Sequence, residues 1–198
     1  MRPSTRSRRP VGAAGRGVRH CRSGPAEPLS VERVAALAEV SRSTVYLVFG
    51  SRAGLFDALG DDLRGRGGFD RMPDPAAAPD ARRHLADSIR ASVPIFAEHR
   101  QVLRVLYSMA HLDPESVGGA VRRIAEARAA GMRWHADRLD AEGALRADVT
   151  PEEAAHLLWA TTSFEFFDQL HSGRGLPADR VADLMVAAAE RAVLKPGR

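Results

Sequence analysis

From Ser30 to Val193 the apolar residues of this chain recur at three- and four-residue intervals. No segment alternates apolar and polar residues between turn signals. That interval gathers side chains onto one face of a helix, whereas a strand needs a period of two. The chain is therefore expected to be all-α, and the remaining question is how its helices are divided and what they do.

Hydroxyl residues mark the starts. Ser30 precedes Val31, Val34, Ala35 and Ala38, spaced i, i+3, i+4, i+7. Ser41 precedes a short helix over Arg42–Phe49. Ser51 precedes another over Arg52–Leu63, with Leu55, Phe56 and Leu59 on one face. Then "RGRGGFDRMPDPAAAP", residues 64–79, breaks the pattern with glycine and proline. Its Gly65-x-Gly67-Gly68 group follows a helix and not a strand, so it makes a poor phosphate cradle. Longer helices are predicted over 80–98, 100–112, 114–142, 151–172 and 177–194, with Pro94 kinking or breaking the first. Thr150-Pro151-Glu152-Glu153 places Thr at a cap, Pro at N1 and Glu at N3. Gly173 and Gly175 stop that helix. The expected organisation is a tail over 1–28, a helix-turn-helix domain over 29–64, a linker over 65–79 and a larger helical domain over 80–195.

Charge sharpens this division. Residues 1–24 hold seven arginines and no acid. Removing them from the 29 basic residues leaves 22 against 25 acidic ones, so the body from residue 25 onward is net −3. The tail is expected to be disordered and able to touch nucleic acid without sequence preference. Lys195 is the only lysine. One cysteine, Cys21, allows no internal disulfide, and no apolar run reaches the roughly 20 residues of a membrane span. A soluble, cytoplasmic protein is expected, with no membrane partner.

On a helical wheel, Val45, Val48 and Phe49 of the short helix fall together. Arg42, Ser43, Tyr46 and Leu47 fall largely opposite, with Thr44 at the border. Two short helices joined by the turn Glu39-Val40-Ser41 form a helix-turn-helix pattern, whose second helix enters the DNA major groove. Thr44 and Ser43 suit base edges or phosphate, Tyr46 reaches phosphate, Leu47 suits a thymine methyl, and Arg42 suits guanine or phosphate. Ser51 opens the next helix, whose free N–H groups form an anion site beside Arg52.

Residues 30–63, including "SVERVAALAEVSRSTVYLVFGSRAGLFDAL", resemble the second to fourth helices of a TetR-family transcriptional regulator. Thr44, Tyr46, Phe49, Ser51 and Leu55 fall on its motif positions, and Arg52 stands where the family usually carries a phosphate-binding lysine. The resemblance implies phosphate contacts from Ser30 and Tyr46, and Arg42, Ser43, Thr44 and Leu47 at or near bases. It also implies a homodimer on double-stranded operator DNA, most often as a repressor. Three departures stand out. Glu39 replaces a common turn glycine, and Leu47 and Val48 replace a polar or aromatic pair. The third is that no apolar first helix of the "AALELF" kind precedes Ser30. Either residues 1–28 replace that helix with a genuine tail, or they are a mistaken translation of it. In the first case Val34, Val45 and Phe49 would keep exposed faces, and the chain would be a helical ligand-binding or dimerisation protein with a non-functional DNA-binding unit.

The last two helices carry the expected dimer interface. Residues 151–172 are apolar nearly all round, and Phe164 and Phe167 on them join Val181, Leu184, Met185, Ala188 and Ala192 on the next helix. Tyr107, Met109, His111, Trp134, His135, Trp159, Thr162 and Phe166 are the candidate lining of a site for a small, mostly apolar effector. Two polar groupings read as ordinary: His111, Asp113 and Glu115 lack metal-ligand spacing, and Asp168 with His171 lacks a nucleophile or oxyanion donors. No catalytic constellation and no cofactor are expected.

Overall fold

Side-chain hydroxyls close the first turns of several helices, as their positions in the sequence require. The computed structural model of the protein describes residues 31–32, 35, 39–66, 72, 80–112 and 114–196. The tail over 1–28, Ser30 and nearly all of the linker lie outside the described residues. Within them the helices are α1 (Arg42–Phe49), α2 (Arg52–Arg66), α3 (Ala81–Glu98), α4 (Arg100–Leu112), α5 (Pro114–Ala141), α6 (Pro151–Thr161), α7 (Phe164–His171) and α8 (Ala178–Val193). Val31, Glu32 and Ala35 are also helical. The all-α expectation is met.

The turn before α1 is a Schellman-type stop. The Val40 N–H returns to the Ala35 carbonyl at 2.9 Å, and Glu39 occupies the left-handed position at φ 54°. A side chain there costs about 1 kcal/mol. Glu39→Gly should therefore raise stability by about 1 kcal/mol, read as a thermal midpoint higher by about 2–4 °C. An unchanged or lower midpoint would mean that Glu39 makes a compensating contact.

Two hydrophobic clusters organise the chain. Val31, Ala35, Val45 and Leu55 form a small one, with Phe49 packed against it. Val45 is thus buried and Phe49 partly buried, which opposes the exposed faces expected of a chain lacking its first helix. The larger cluster draws on α2 to α8 and includes Phe56, Leu106, Leu139, Leu158, Phe167 and Met185, all fully buried. Helix α2 serves both: Leu55 faces the small cluster, while Phe56 and Leu63 enter the large one. Burying a side chain the size of Phe56 contributes about 1.5–3 kcal/mol, so the short helices are fixed to the body through α2.

Helix α5, at 28 residues, is the longest. It packs against α2 at one end and against α6 beyond. Its far end leads into a loop that pairs with the chain after α8: Leu145 and Leu194 form an isolated antiparallel bridge, with Arg146 N–H on the Val193 carbonyl and Lys195 N–H on the Ala144 carbonyl, each at 3.0 Å.

Three helix expectations are corrected. Of the kink or break expected at Pro94, the break does not occur, since α3 continues through it; Pro94 sits on the exposed side while Val93, Ile95 and Phe96 hold the other side in the core. Residues 151–172 are not one helix. Thr161 and Thr162 turn their hydroxyls back onto the Leu157 and Leu158 carbonyls at 2.8 and 2.7 Å, and Ser163 leaves the helix at ψ 157° to cap α7. Nor is that segment buried all round, since Leu157 and Trp159 are exposed in the single chain. The Thr150–Glu153 capping box forms as expected.

Candidate functional site

The outward face of α1 is built from its cap. Ser41 Oγ accepts the Thr44 N–H at 3.1 Å, and the hydroxyls of Ser43 and Thr44 lie 2.7 and 2.9 Å from it. Gly50, at φ 71°, closes the other end with its N–H on the Tyr46 carbonyl. Val45 and Phe49, four residues apart, take the inward side. Leu47 is left 86% exposed, Val48 66% and Tyr46 41%. Val48 was expected inward; so short a helix meets its core on a narrow face, and Val48 falls beyond its edge. An exposed leucine and valine beside Tyr46 and Arg42 make a poor solvated surface and a good contact surface.

Arg42 Nη1 is held 2.8 Å from Glu32 Oε1. Sequence reasoning missed this partner, although Glu32 and Arg42 face each other across the turn. Ser51, expected at phosphate, accepts the Gly54 N–H on its Oγ at 3.0 Å. Arg52 has partners within the chain itself. Its guanidinium lies 5.7 Å from the centre of the Phe56 ring, and Nη2 is 3.9 Å from Met109 Sδ on α4. A long cationic side chain over an aromatic ring covers apolar surface as much as it offers charge. In the free chain, then, Arg52 closes the seam between α2 and α4. Arg52→Ala should lower stability by on the order of 1 kcal/mol and leave the salt dependence of DNA binding unchanged. A reduced salt slope would return Arg52 to the phosphate backbone.

The neighbouring contact between α2 and α5 holds two ion pairs. Arg123 Nη2 on α5 lies 3.0 Å from Asp57 Oδ1 and 3.8 Å from Asp61 Oδ1 on α2. Gly119 permits this approach, since a Cβ there would stand 3.3 Å from Asp57 Oδ1.

The eight candidate effector residues are not brought to one place. Trp134 and His135 pack with buried His84, ring centres 5.1–5.3 Å apart. Burial, then the charges of His84 and Arg138, lower the His135 pKa from 6.5 to about 4. Tyr107, Trp159 and Thr162 instead surround Arg128, a residue the sequence reading passed over. Its guanidinium lies 4.7 Å from the Trp159 ring centre, donates to Thr162 Oγ1 at 3.2 Å and to the Trp159 carbonyl. Tyr107 stacks on Phe164 at 5.8 Å. Burial, then the Glu165 charge, raises the Tyr107 pKa, while burial lowers that of Arg128. Phe166 is partly buried against the core, Met109 lies at the α2 seam, and His111 is exposed with Nδ1 2.8 Å from the Tyr107 carbonyl. Of the eight, Trp159 also lines a small opening of about 180 Å³ between α5 and α6.

Among the expected interface residues, Phe164, Phe167, Val181 and Met185 are buried within the single chain, which leaves them almost no surface to offer a second copy. Leu184, Ala188 and Ala192 keep partial exposure. Asp168 does not pair with His171. It binds Arg104 Nε at 3.0 Å and the Ser172 hydroxyl, and His171 Nδ1 lies 2.8 Å from the Leu176 carbonyl. Asp113 lies outside the described residues. Among those, no group of three or more His, Cys, Asp or Glu is placed to hold a metal.

Residues 23–59 match the family model of bacterial regulatory proteins of the tetR family. This stretch is a TetR-family DNA-binding module. The chain that carries it is a DNA-binding transcriptional regulator. The TetR-type architecture extends over the body. A protein from Rhodococcus sp. assigned to the TetR-family transcriptional regulators shares 20% identity at a TM-score of 0.68, over 83% of this chain and 87% of that one. A transcriptional regulator from Saccharomonospora viridis, solved in complex with choline, shares 18% at 0.63, over 84% and 88%. NalD, the secondary repressor of the MexAB-OprM multidrug efflux pump in Pseudomonas aeruginosa, shares 22% at 0.60, over 85% and 87%. At such identity these likenesses establish the fold. No curated protein matches the chain.

Proposed function

We propose that the protein is a ligand-responsive repressor that binds operator DNA as a cytoplasmic homodimer and acts by binding, not by catalysis. The observation that carries the reading is α1: capped at both ends, anchored by Val45, and presenting Arg42, Ser43, Tyr46 and Leu47 outward. Ser51 and Ser30 would join it at phosphates. No helix among the described residues is long and apolar enough to cross a membrane.

Dimerisation is supported by apolar surface on helices that pack together. Leu157 on α6 and Leu184, Ala188 and Ala192 on α8 retain exposure in one chain. The effector is a small, mostly apolar molecule, and the best-supported place for it is the region where Tyr107, Trp159, Thr162 and Phe164 meet Arg128. Its differential affinity for two conformations would move the reading heads relative to operator spacing.

The test is DNA binding by the purified full chain, using its own upstream intergenic DNA and a scrambled control at two salt concentrations. Selective binding that weakens with salt is expected. Equal binding to both DNAs would overturn the operator reading and leave only a basic tail and a helical body. Sedimentation of the free chain tests the dimer; a monomer at micromolar concentration would remove it.

A further inference from the structure

At the end of α5 remote from the DNA-binding module, the chain builds a second, differently composed cleft. It is a groove of about 460 Å³ between the start of α3, the loop after α5 and the end of α8. Such a volume suits a small molecule. Arg82, Arg146, Arg191 and Lys195 line it, with Glu190 as the one acid among the lining residues. Leu194 and Pro196 complete it with apolar surface.

The backbone bridge at Leu145 and Leu194 draws these cations together, and most of their hydrogen bonds go to neutral groups. Arg82 Nη2 donates to the Lys195 carbonyl at 3.1 Å and the Ala144 carbonyl at 3.4 Å. Lys195 Nζ donates to the Gly143 carbonyl at 2.8 Å. Arg191 makes no ion pair among the described residues. Only Arg146 is matched by a carboxylate, Asp148 at 2.6 Å. Four cations against Asp148 and Glu190 leave a surplus of two positive charges, on a body whose overall balance is negative. Carbonyls orient cations without neutralising them, and like charges gathered in one cleft repel.

We propose that this groove binds a small phosphate monoester, its dianion held by Arg191, Lys195 and Arg82 and its apolar part lying on Leu194 and Pro196. The site is separate from both the DNA-reading face and the Arg128 region. It matches a dianion in charge, and Arg fits phosphate oxygens with paired N–H donors. The other account of these cations is that they answer the negative end of α8 and fasten the chain terminus.

Phenyl phosphate distinguishes the two. Calorimetric titration of the full chain with phenyl phosphate should give saturable one-site binding, with benzyl alcohol at the same concentration giving none. Affinity should fall as pH drops below about 6, where the second phosphate proton returns. The Arg191→Ala/Lys195→Gln variant, checked for unchanged thermal midpoint, should bind at least about tenfold more weakly. Bound ligand should also shield Lys195, the sole lysine, from an acylating reagent, read by mass spectrometry. Equal binding by wild type and variant overturns the proposal. So does an effect reproduced by chloride at matched ionic strength, or acylation of Lys195 unaffected by ligand. If the double variant unfolds, Arg191→Gln alone and the Lys195 protection decide the matter.

Discussion

Arg42→Ala together with Tyr46→Ala should lower operator affinity roughly a hundredfold or more. Each side chain that reaches a base edge or phosphate contributes about 1–3 kcal/mol, and about 1.4 kcal/mol is tenfold. Both residues are exposed on α1 and outside either core cluster, so the fold does not depend on them. The Arg42–Glu32 pair is more than half exposed on both sides and contributes little to stability. The double variant should therefore keep its helix content, thermal midpoint and sedimentation. A gel-shift titration beside a melting curve checks this. A lowered midpoint with operator affinity intact would make both residues structural and remove α1 as the reading helix.

The second large effect is on stability as the medium is acidified. The folded pKa of His135, about 4, lies below its ordinary 6.5 because burial, with His84 and Arg138 nearby, disfavours the charged ring. Above pH 6.5 the ring is neutral whether the chain is folded or not, and the stability it allows is fully present. Between 6.5 and 4 the unfolded chain takes up a proton that the folded chain refuses, so stability falls as pH falls. Below 4 both forms carry the proton and the loss is complete. That window corresponds to about 3 kcal/mol. His135→Gln removes the titrating group. Urea unfolding at pH 7.5 and 4.5 should show a smaller drop in the variant than in wild type by most of that amount. Equal drops would place a protonated His135 within the folded chain.

Much of this molecule was readable before any coordinates, and the failures share a cause. Caps are local: Ser41, Ser51 and Thr150 act on backbone groups three residues away, so their helices begin where the sequence places them. The left-handed turn at Glu39 was likewise legible from the turn's place in the motif. The break at Thr162–Ser163 was local too. Three consecutive hydroxyl residues signalled it, and the apolar flanks of Leu157, Leu158, Phe166 and Phe167 outweighed that signal in the reading. What a helix face meets is not local. Phe167 and Met185 look the same in sequence whether they face their own core or a second chain; only packing shows that they are internal. The eight effector candidates were chosen by residue type, and type does not report which helices converge. Arg128 was passed over because an arginine on a long helix ordinarily reads as solvated, yet α6 lays Trp159 over it. The contact of Arg52 with Met109 was hidden for the same reason, since the two lie 57 positions apart.

Helix α5 has a mechanical consequence. At 28 residues it is a rod of about 42 Å. Arg123, near its start, grips the DNA-binding module; Arg128 and His135 sit farther along; its last turn feeds the loop that carries Arg146. Every station of interest is thus threaded on one stiff shaft. Pivoting such a shaft by about 5° at one end sweeps the other through about 3–4 Å, comparable to the rise of one base pair. A lever of that length turns a sub-ångström adjustment beside its fulcrum into a misfit at the distant groove of the duplex.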